Sequence, residues 1–160
     1  MAERLIRTHL CPSLGPLLDT PDAAFISRLY GVHAVAADVD EAAADRLGAF
    51  RGEMAGMSGG ERAELHAHTF ELSPVCVLYV SVHLFGEESF KRARLMTGLE
   101  EAYHAAGFGR GGELPDHLGV ILRFAPHFSG EEWNEMVRYC LAEPVREMHA
   151  SLARTSNPYR

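Results

Sequence analysis

The sequence predicts an all-α fold, a single-domain bundle of about seven or eight helices spanning residues 1–160. Three observations carry that prediction. Apolar residues recur at steps of three and four along most of the chain. Cap signals stand immediately ahead of those stripes. Only one short run, Val75 to Phe85, could be read as a strand, and nothing elsewhere offers it a partner.

The first helix signal is Thr20-Pro21-Asp22, read as an N-cap, a proline at the first helical position and an acid in the first turn. Ala23, Ile26, Tyr30 and His33 follow as its stripe. Asp38-Val39-Asp40-Glu41 reads as a capping box ahead of Val39, Ala43, Leu47, Phe50 and Met54. Ser58-Gly59-Gly60-Glu61 opens a third helix through Ala63, Ala67 and Phe70, which Pro74 ends. The run VCVLYVSVHLF suits a buried strand or a buried helix, and the lack of a partner strand favours helix. Gly86 breaks the chain. Leu95, Leu99, Ala102 and Ala106 mark the next helix, and GFGRGG at 107–112 is a flexible loop rather than a dinucleotide fingerprint, because it follows a helix instead of a strand. Pro115 stands where the following helix should begin, with Leu114, Leu118, Ile121 and Ala125 on one face. Ser129-Gly130-Glu131-Glu132 is another capping box. Val137, Leu141, Val145, Met148 and Leu152 form the last stripe, kinked at Pro144. The tail 154–160 shows no periodicity and is expected to be mobile.

Charge and composition exclude several functions. The formal net charge is −7, which disfavours nucleic acid and anionic membrane surfaces and permits a basic peptide partner. Cys11, Cys76 and Cys140 are far apart and form no CxxC, so neither a disulfide framework nor a zinc knuckle is expected, and the setting reads as reducing and cytoplasmic. The amino-terminal stretch does not read as a signal peptide, and Val75–Phe85 is too short to cross a bilayer. Nine histidines invite a metal reading, yet His66 and His68 diverge on a helix, no HExxH occurs, and Gly86 separates His83 from Glu87. No metal, tightly bound cofactor or catalytic residue is expected. Cys76 reads as a small core residue.

The hexapeptide Glu113-Leu114-Pro115-Asp116-His117-Leu118 carries two readings of equal weight. In one, Pro115 and Asp116 simply start a helix. In the other, acids beside a glycine-rich loop form a negative edge able to receive an arginine or a helical peptide.

That hexapeptide resembles a motif of the molybdoenzyme-specific chaperones of the NarJ/TorD/DmsD group, nearest the NarJ or nitrate reductase delta branch. ELPDHLGVILRF is similar to that branch's Glu-Leu-Pro-Asp run, followed by an aromatic or His, Leu and an apolar helix. His83-Leu84-Phe85-Gly86-Glu87 resembles its histidine, glycine and acid segment, RARLM at 92–96 the basic turn after it, and LLDTPDAAF at 17–25 the family's opening. The likeness covers about Leu17 to Phe124, with order and spacing kept. Four departures stand out: Gly119 for a second proline, Arg123 for a glutamate, and His66 and Thr69 where Tyr and Leu precede Phe70 in the family.

The resemblance implies an all-α chaperone without turnover. It implies binding of the apo catalytic subunit of a molybdopterin oxidoreductase such as nitrate reductase, through its N-terminal or twin-arginine-type peptide. Cofactor insertion is assisted and export or membrane docking delayed; the molybdopterin guanine dinucleotide belongs to the client. The matching positions are Glu113, Pro115, Asp116 and His117, with His83, Gly86 and Glu87 as a second set. Asp116 and Glu113 are expected to receive a basic group, His117 to add a polar contact and Pro115 to fix the chain direction. Two rivals remain: a generic helical adaptor without a molybdoenzyme client, and an enzyme using Asp116 and His117 as an acid–base pair.

Overall fold

The computed structural model describes all residues 1–160 and is all-α. Ten α-helical stretches form eight continuous rods. The first rod is α1 (Ala2–Leu5), a π turn (Ile6–Leu10), α2 (Cys11–Leu14) and a 3-10 turn (Gly15–Leu18). Then come α3 (Phe25–Ala37), α4 (Glu41–Ala55), α5 (Gly59–Phe70), α6 (Val80–Phe85) and α7 (Phe90–Ala105). α8 (Leu118–Phe124) runs into a 3-10 turn (Ala125–His127); α9 (Gly130–Met136), a π turn (Val137–Leu141) and α10 (Ala142–Arg154) make the last rod. Both π turns stand just ahead of a proline, Pro12 and Pro144. The wider turn accommodates the missing N–H and the bulk of the ring.

The core has two parts. α3 and α4 close over Leu10 and Leu17 with Phe25, Leu29, Val32, Ala36, Ala44 and Met54. The larger part centres on Val80, Tyr103, Val120, Ile121, Phe124 and Trp133. Tyr159 packs against both. α2 and α8 cross where two glycines meet: a Cβ on Gly15 would lie 2.6 Å from the Gly119 carbonyl oxygen.

Two cap readings hold as made. Ser58 and Ser129 each form a full capping box, with Glu61 and Glu132 as partners. Others shift. The 20–22 signal does not start a helix: Asp22 Oδ1 accepts from the Ala24 N–H at 3.0 Å, and α3 begins only at Phe25. Its buried face is Phe25, Leu29, Val32 and Ala36, while Tyr30 lies exposed. The cap of α4 is Asp40 alone, accepting from the Ala43 N–H. Val137 and Val145 fall outside the buried face of Leu141, Met148 and Leu152.

The apolar run divides. Val75 and Cys76 form a bend, Val77–Tyr79 lead out of it without helix, and only Val80–Phe85 is helical. The carboxyl-terminal residues, expected above to be mobile, are seated in this structure. Asn157 is buried, with its Nδ2 donating to Thr69 Oγ1 at 2.9 Å, and Tyr159 stacks edge-on to Phe70 at 4.9 Å.

Candidate functional site

The non-helical part of that run does have a partner at Leu78–Val80, and it is the hexapeptide. The Leu118 N–H donates to the Leu78 carbonyl at 2.8 Å, and the Val80 N–H to the Asp116 carbonyl at 3.0 Å. Tyr79 and His117 form the one antiparallel bridge. Pro115 therefore does not begin a helix. It lies in the preceding turn, its carbonyl accepting from the buried Tyr103 hydroxyl at 2.7 Å. α8 starts at Leu118, and Leu114 is exposed rather than on the core face.

Asp116 is fully buried. Its Oδ2 accepts from the Ser81 N–H at 3.2 Å and from the Ser81 hydroxyl. Ser81 Oγ in turn accepts from Arg92 Nε at 2.9 Å. The carboxylate thus joins the starts of α6, α7 and α8 inside the molecule. His117 caps α8, its Nδ1 accepting from the Gly119 N–H at 3.0 Å. Burial depresses its pKa, against the opposing pull of Glu113 and Asp19. Asp116 and His117 turn onto different partners, so they do not converge as an acid–base pair.

Glu113 stands at the rim. Its Oε1 accepts from the Tyr79 hydroxyl and the Leu114 N–H, both at 2.9 Å. Burial pushes its pKa up, yet these hydrogen bonds and the neighbouring His117 and Arg110 outweigh it and hold the carboxyl below its ordinary value. Arg110 also donates to the Glu113 carbonyl and pairs with Glu100 at 2.9 Å, fixing the loop 107–112 against α7.

Glu113 borders a recess of about 370 Å³, walled by Asp19, Thr20, His66, Phe70, Glu71, Tyr79 and His117 over a floor of Leu18 and Leu78. Across Phe70, Glu71 and Tyr79 it adjoins a wider cleft of about 690 Å³, lined by Val77, Val82 and Leu114 with Glu87, Glu88 and Arg92. Five carboxylates thus border the two adjoining hollows: Asp19, Glu71 and Glu113 on one, Glu87 and Glu88 on the other.

The second expected set divides as well. Gly86, with φ +80°, ends α6 and separates His83 from Glu87. His83 is held between the Val77 carbonyl at 2.7 Å and Glu147 at 2.8 Å. Glu87 lines the wider cleft, and its carbonyl accepts from Arg92 at 3.3 Å. No three His, Cys, Asp or Glu side chains come together as a metal cradle. Cys76 is a core residue whose thiol burial pushes up to about 11.

Sequence reasoning missed Asp19, His66, Glu71 and Tyr79 as wall residues. A weak signal existed for two of them: His66 lies one helical turn before Phe70, and Glu71 follows the last residue of α5.

The fold and site define an all-α protein with an acidic, aromatic-walled cleft. Its family is specific: the chain belongs to the nitrate reductase delta subunit family, whose model matches residues 33–160. This is a family of chaperones for molybdoenzyme maturation, which partner a nitrate reductase-type catalytic subunit. No curated protein sequence matches the chain. The match takes in α4 to α10, while Asp19 and Thr20 of the recess lie before it. No helix is long and apolar enough to cross a membrane.

Proposed function

We propose that this chaperone holds the apo catalytic subunit of its molybdoenzyme through a basic N-terminal peptide of that subunit, seated along the acidic cleft between Asp19 and Glu88. The single observation that carries the reading is the charge on the cleft wall. Asp19, Glu71 and Glu113 stand around Phe70 and Tyr79, and none of the three is ion-paired to a lysine or arginine. Unneutralised carboxylates beside aromatic faces attract a basic amphipathic segment and fix its register. Holding that segment keeps the subunit from export or membrane docking while its molybdopterin guanine dinucleotide is inserted. That cofactor is the client's cargo, and this chain needs no tight site for it.

Within the hexapeptide, the reading gives Glu113 the contact with the client. Pro115, Asp116 and His117 hold the rim that presents it, and Glu87 extends the acidic wall. His83 and Gly86 shape the end of α6 behind the cleft.

The test starts by recovering the catalytic subunit with tagged protein from the source cells. The subunit's N-terminal peptide is then titrated against wild type and the double variant Glu71→Gln/Glu113→Gln. The expected result is a loss of about tenfold or more in affinity and weaker wild-type binding at high salt, as for charge pairs at a partly exposed cleft. Equal affinity for both proteins would sink the reading. Recovery of partners unrelated to molybdoenzymes would instead favour the adaptor.

A further inference from the structure

We infer that the apolar slot between the first rod, α4 and α8 is a binding site for a medium-chain fatty acid, whose carboxylate pairs with Arg46.

The slot lies on the seam of the molecule. Leu14, Leu47 and Phe50 pack against the smaller part of the core, and Leu18, Leu118 and Leu122 against the larger. Where the two parts meet they leave a hollow of about 240 Å³. Leu14 and Leu17 of the first rod, Leu47 and Phe50 of α4, Leu122 of α8 and Tyr159 wall it. All of these but Leu17 are only half-buried, so separate segments of the chain present apolar surface to one unfilled space. Water gains few hydrogen bonds in such a space, and an apolar cavity of about 150 Å³ already takes up a guest the size of benzene. The 240 Å³ here match an apolar guest of roughly eight carbons.

The charge of the slot is opposite to that of the acidic cleft. None of its lining side chains is acidic, and two are arginines, Arg46 and Arg160. Both are exposed and so stand at its opening. Arg160 is committed: it faces Glu53 at 3.5 Å and donates to the carbonyls of Ser156 and Asn157. Arg46 is in no ion pair. Its neighbours one turn away on α4 are Ala42, Ala43, Ala49 and Phe50, so the helix face offers it no carboxylate. One free guanidinium is matched by a monoanion, and the two oxygens of a carboxylate fit its fork. A phosphate monoester would bring a second charge that only the committed Arg160 could meet. An apolar chain ending in one carboxylate meets both halves of the site.

The slot is separate from the acidic cleft, and Leu18 is the partition that borders both hollows. The inference therefore stands apart from how the client is held.

The experiment titrates the full chain with octanoate, octanol and octylamine, following backbone amide shifts by NMR. The three probes share one hydrocarbon chain and differ in charge. The expected result is saturable binding of octanoate that moves the amides of Leu47, Phe50, Leu122 and Tyr159. Octanoate should bind about fivefold tighter than octanol, as for one exposed charge pair, and octylamine weakest. Arg46→Gln, at an exposed side chain, should bring octanoate down to the level of octanol and leave the melting temperature unchanged. Leu122→Phe should fill the slot and abolish binding of all three; if it fails to fold, Arg46→Gln decides alone. N-acetyl-leucyl-glutamate amide tests a protein segment as the occupant, and its binding at the same residues more tightly than octanoate would overturn the inference. Octanoate that binds no tighter than octanol, or that moves no amide of the slot, overturns it as well.

Discussion

Two neighbouring acids of one hexapeptide meet opposite fates. Asp116 is sealed inside, its carboxylate on Ser81 and, through it, Arg92. Glu113, three residues earlier, stands on the rim of the recess with half its carboxylate uncommitted. The lesson is a division of labour. The inner half of the motif, Pro115 to His117, ties together α6, α7 and α8, and the outer half displays charge. A motif recognised as one unit therefore contains a structural pin and a contact residue, and substitutions at the two positions should separate stability from binding.

Asp116→Ala tests the inner half and carries the largest expected effect. It removes a buried carboxylate acceptor and leaves the Ser81 N–H and the Ser81 hydroxyl without their partner. Such losses cost about 2–4 kcal/mol. Urea denaturation followed by circular dichroism measures it. A loss below about 1 kcal/mol would mean that the Ser81 and Arg92 contacts hold nothing together. Glu113→Gln, in contrast, should leave the unfolding midpoint nearly unchanged and act on binding.

A second contrast separates two glycines. At Gly15 an added Cβ would meet the Gly119 carbonyl oxygen at 2.6 Å and Arg123 Cγ at 2.7 Å, and the carbonyl is backbone that cannot step aside. Gly31 lies in α3 with nothing within 4 Å of its Cβ position. Gly15→Ala should destabilise by about 1–3 kcal/mol through overpacking of the α2–α8 crossing. Gly31→Ala should stabilise by up to about 1 kcal/mol, since alanine favours an exposed helix interior. Thermal melts of both variants check the pair. A neutral Gly15→Ala would show that α2 can slide on α8. The crossing also gives Gly119 a reason: Gly15 approaches closely where the resemblance predicts a proline.

What the sequence disclosed follows the range over which each feature is determined. The boxes at Ser58 and Ser129 were legible because cap and partner lie three residues apart. The Gly86 break was legible for the same local reason. The buried face of α3 was not, since it is chosen by α4 and the first rod; Tyr30 matched the helical period and yet lies outside, under the Arg51 guanidinium at 4.5 Å. Residues 75–79 were read as helix because their partner, 116–118, is remote in the chain and too short to display strand periodicity. The recess drew Glu113 from a recognisable motif. Asp19 follows the first rod, whereas His66 and Glu71 stand at the end of α5, so only the folded chain brings them to Glu113. The seating of Tyr159 on Phe50 and Phe70 rests on aromatic shape, which leaves no repeat to find.

The smallest expected effect concerns pH and returns to the inner half of the hexapeptide. Burial lowers the His117 pKa below its unfolded value, with Arg123 acting in the same direction and Glu113, Asp19 and Asp116 opposing. The folded protein therefore takes up the proton less readily than the unfolded chain. Stability from this group is fully present above the unfolded pKa of about 6.5 and is lost as pH falls through the lower folded value. The proton would also land on the Nδ1 that accepts the Gly119 N–H, so acid removes the cap of α8. His117→Asn retains a capping oxygen without a titrating group. Urea midpoints measured from pH 7.5 to 5 should fall more steeply in wild type than in this variant, whereas Asp116→Ala should lower the midpoint at both ends of that range. Parallel curves for wild type and His117→Asn would place the acid sensitivity elsewhere and leave His117 as a pH-indifferent cap.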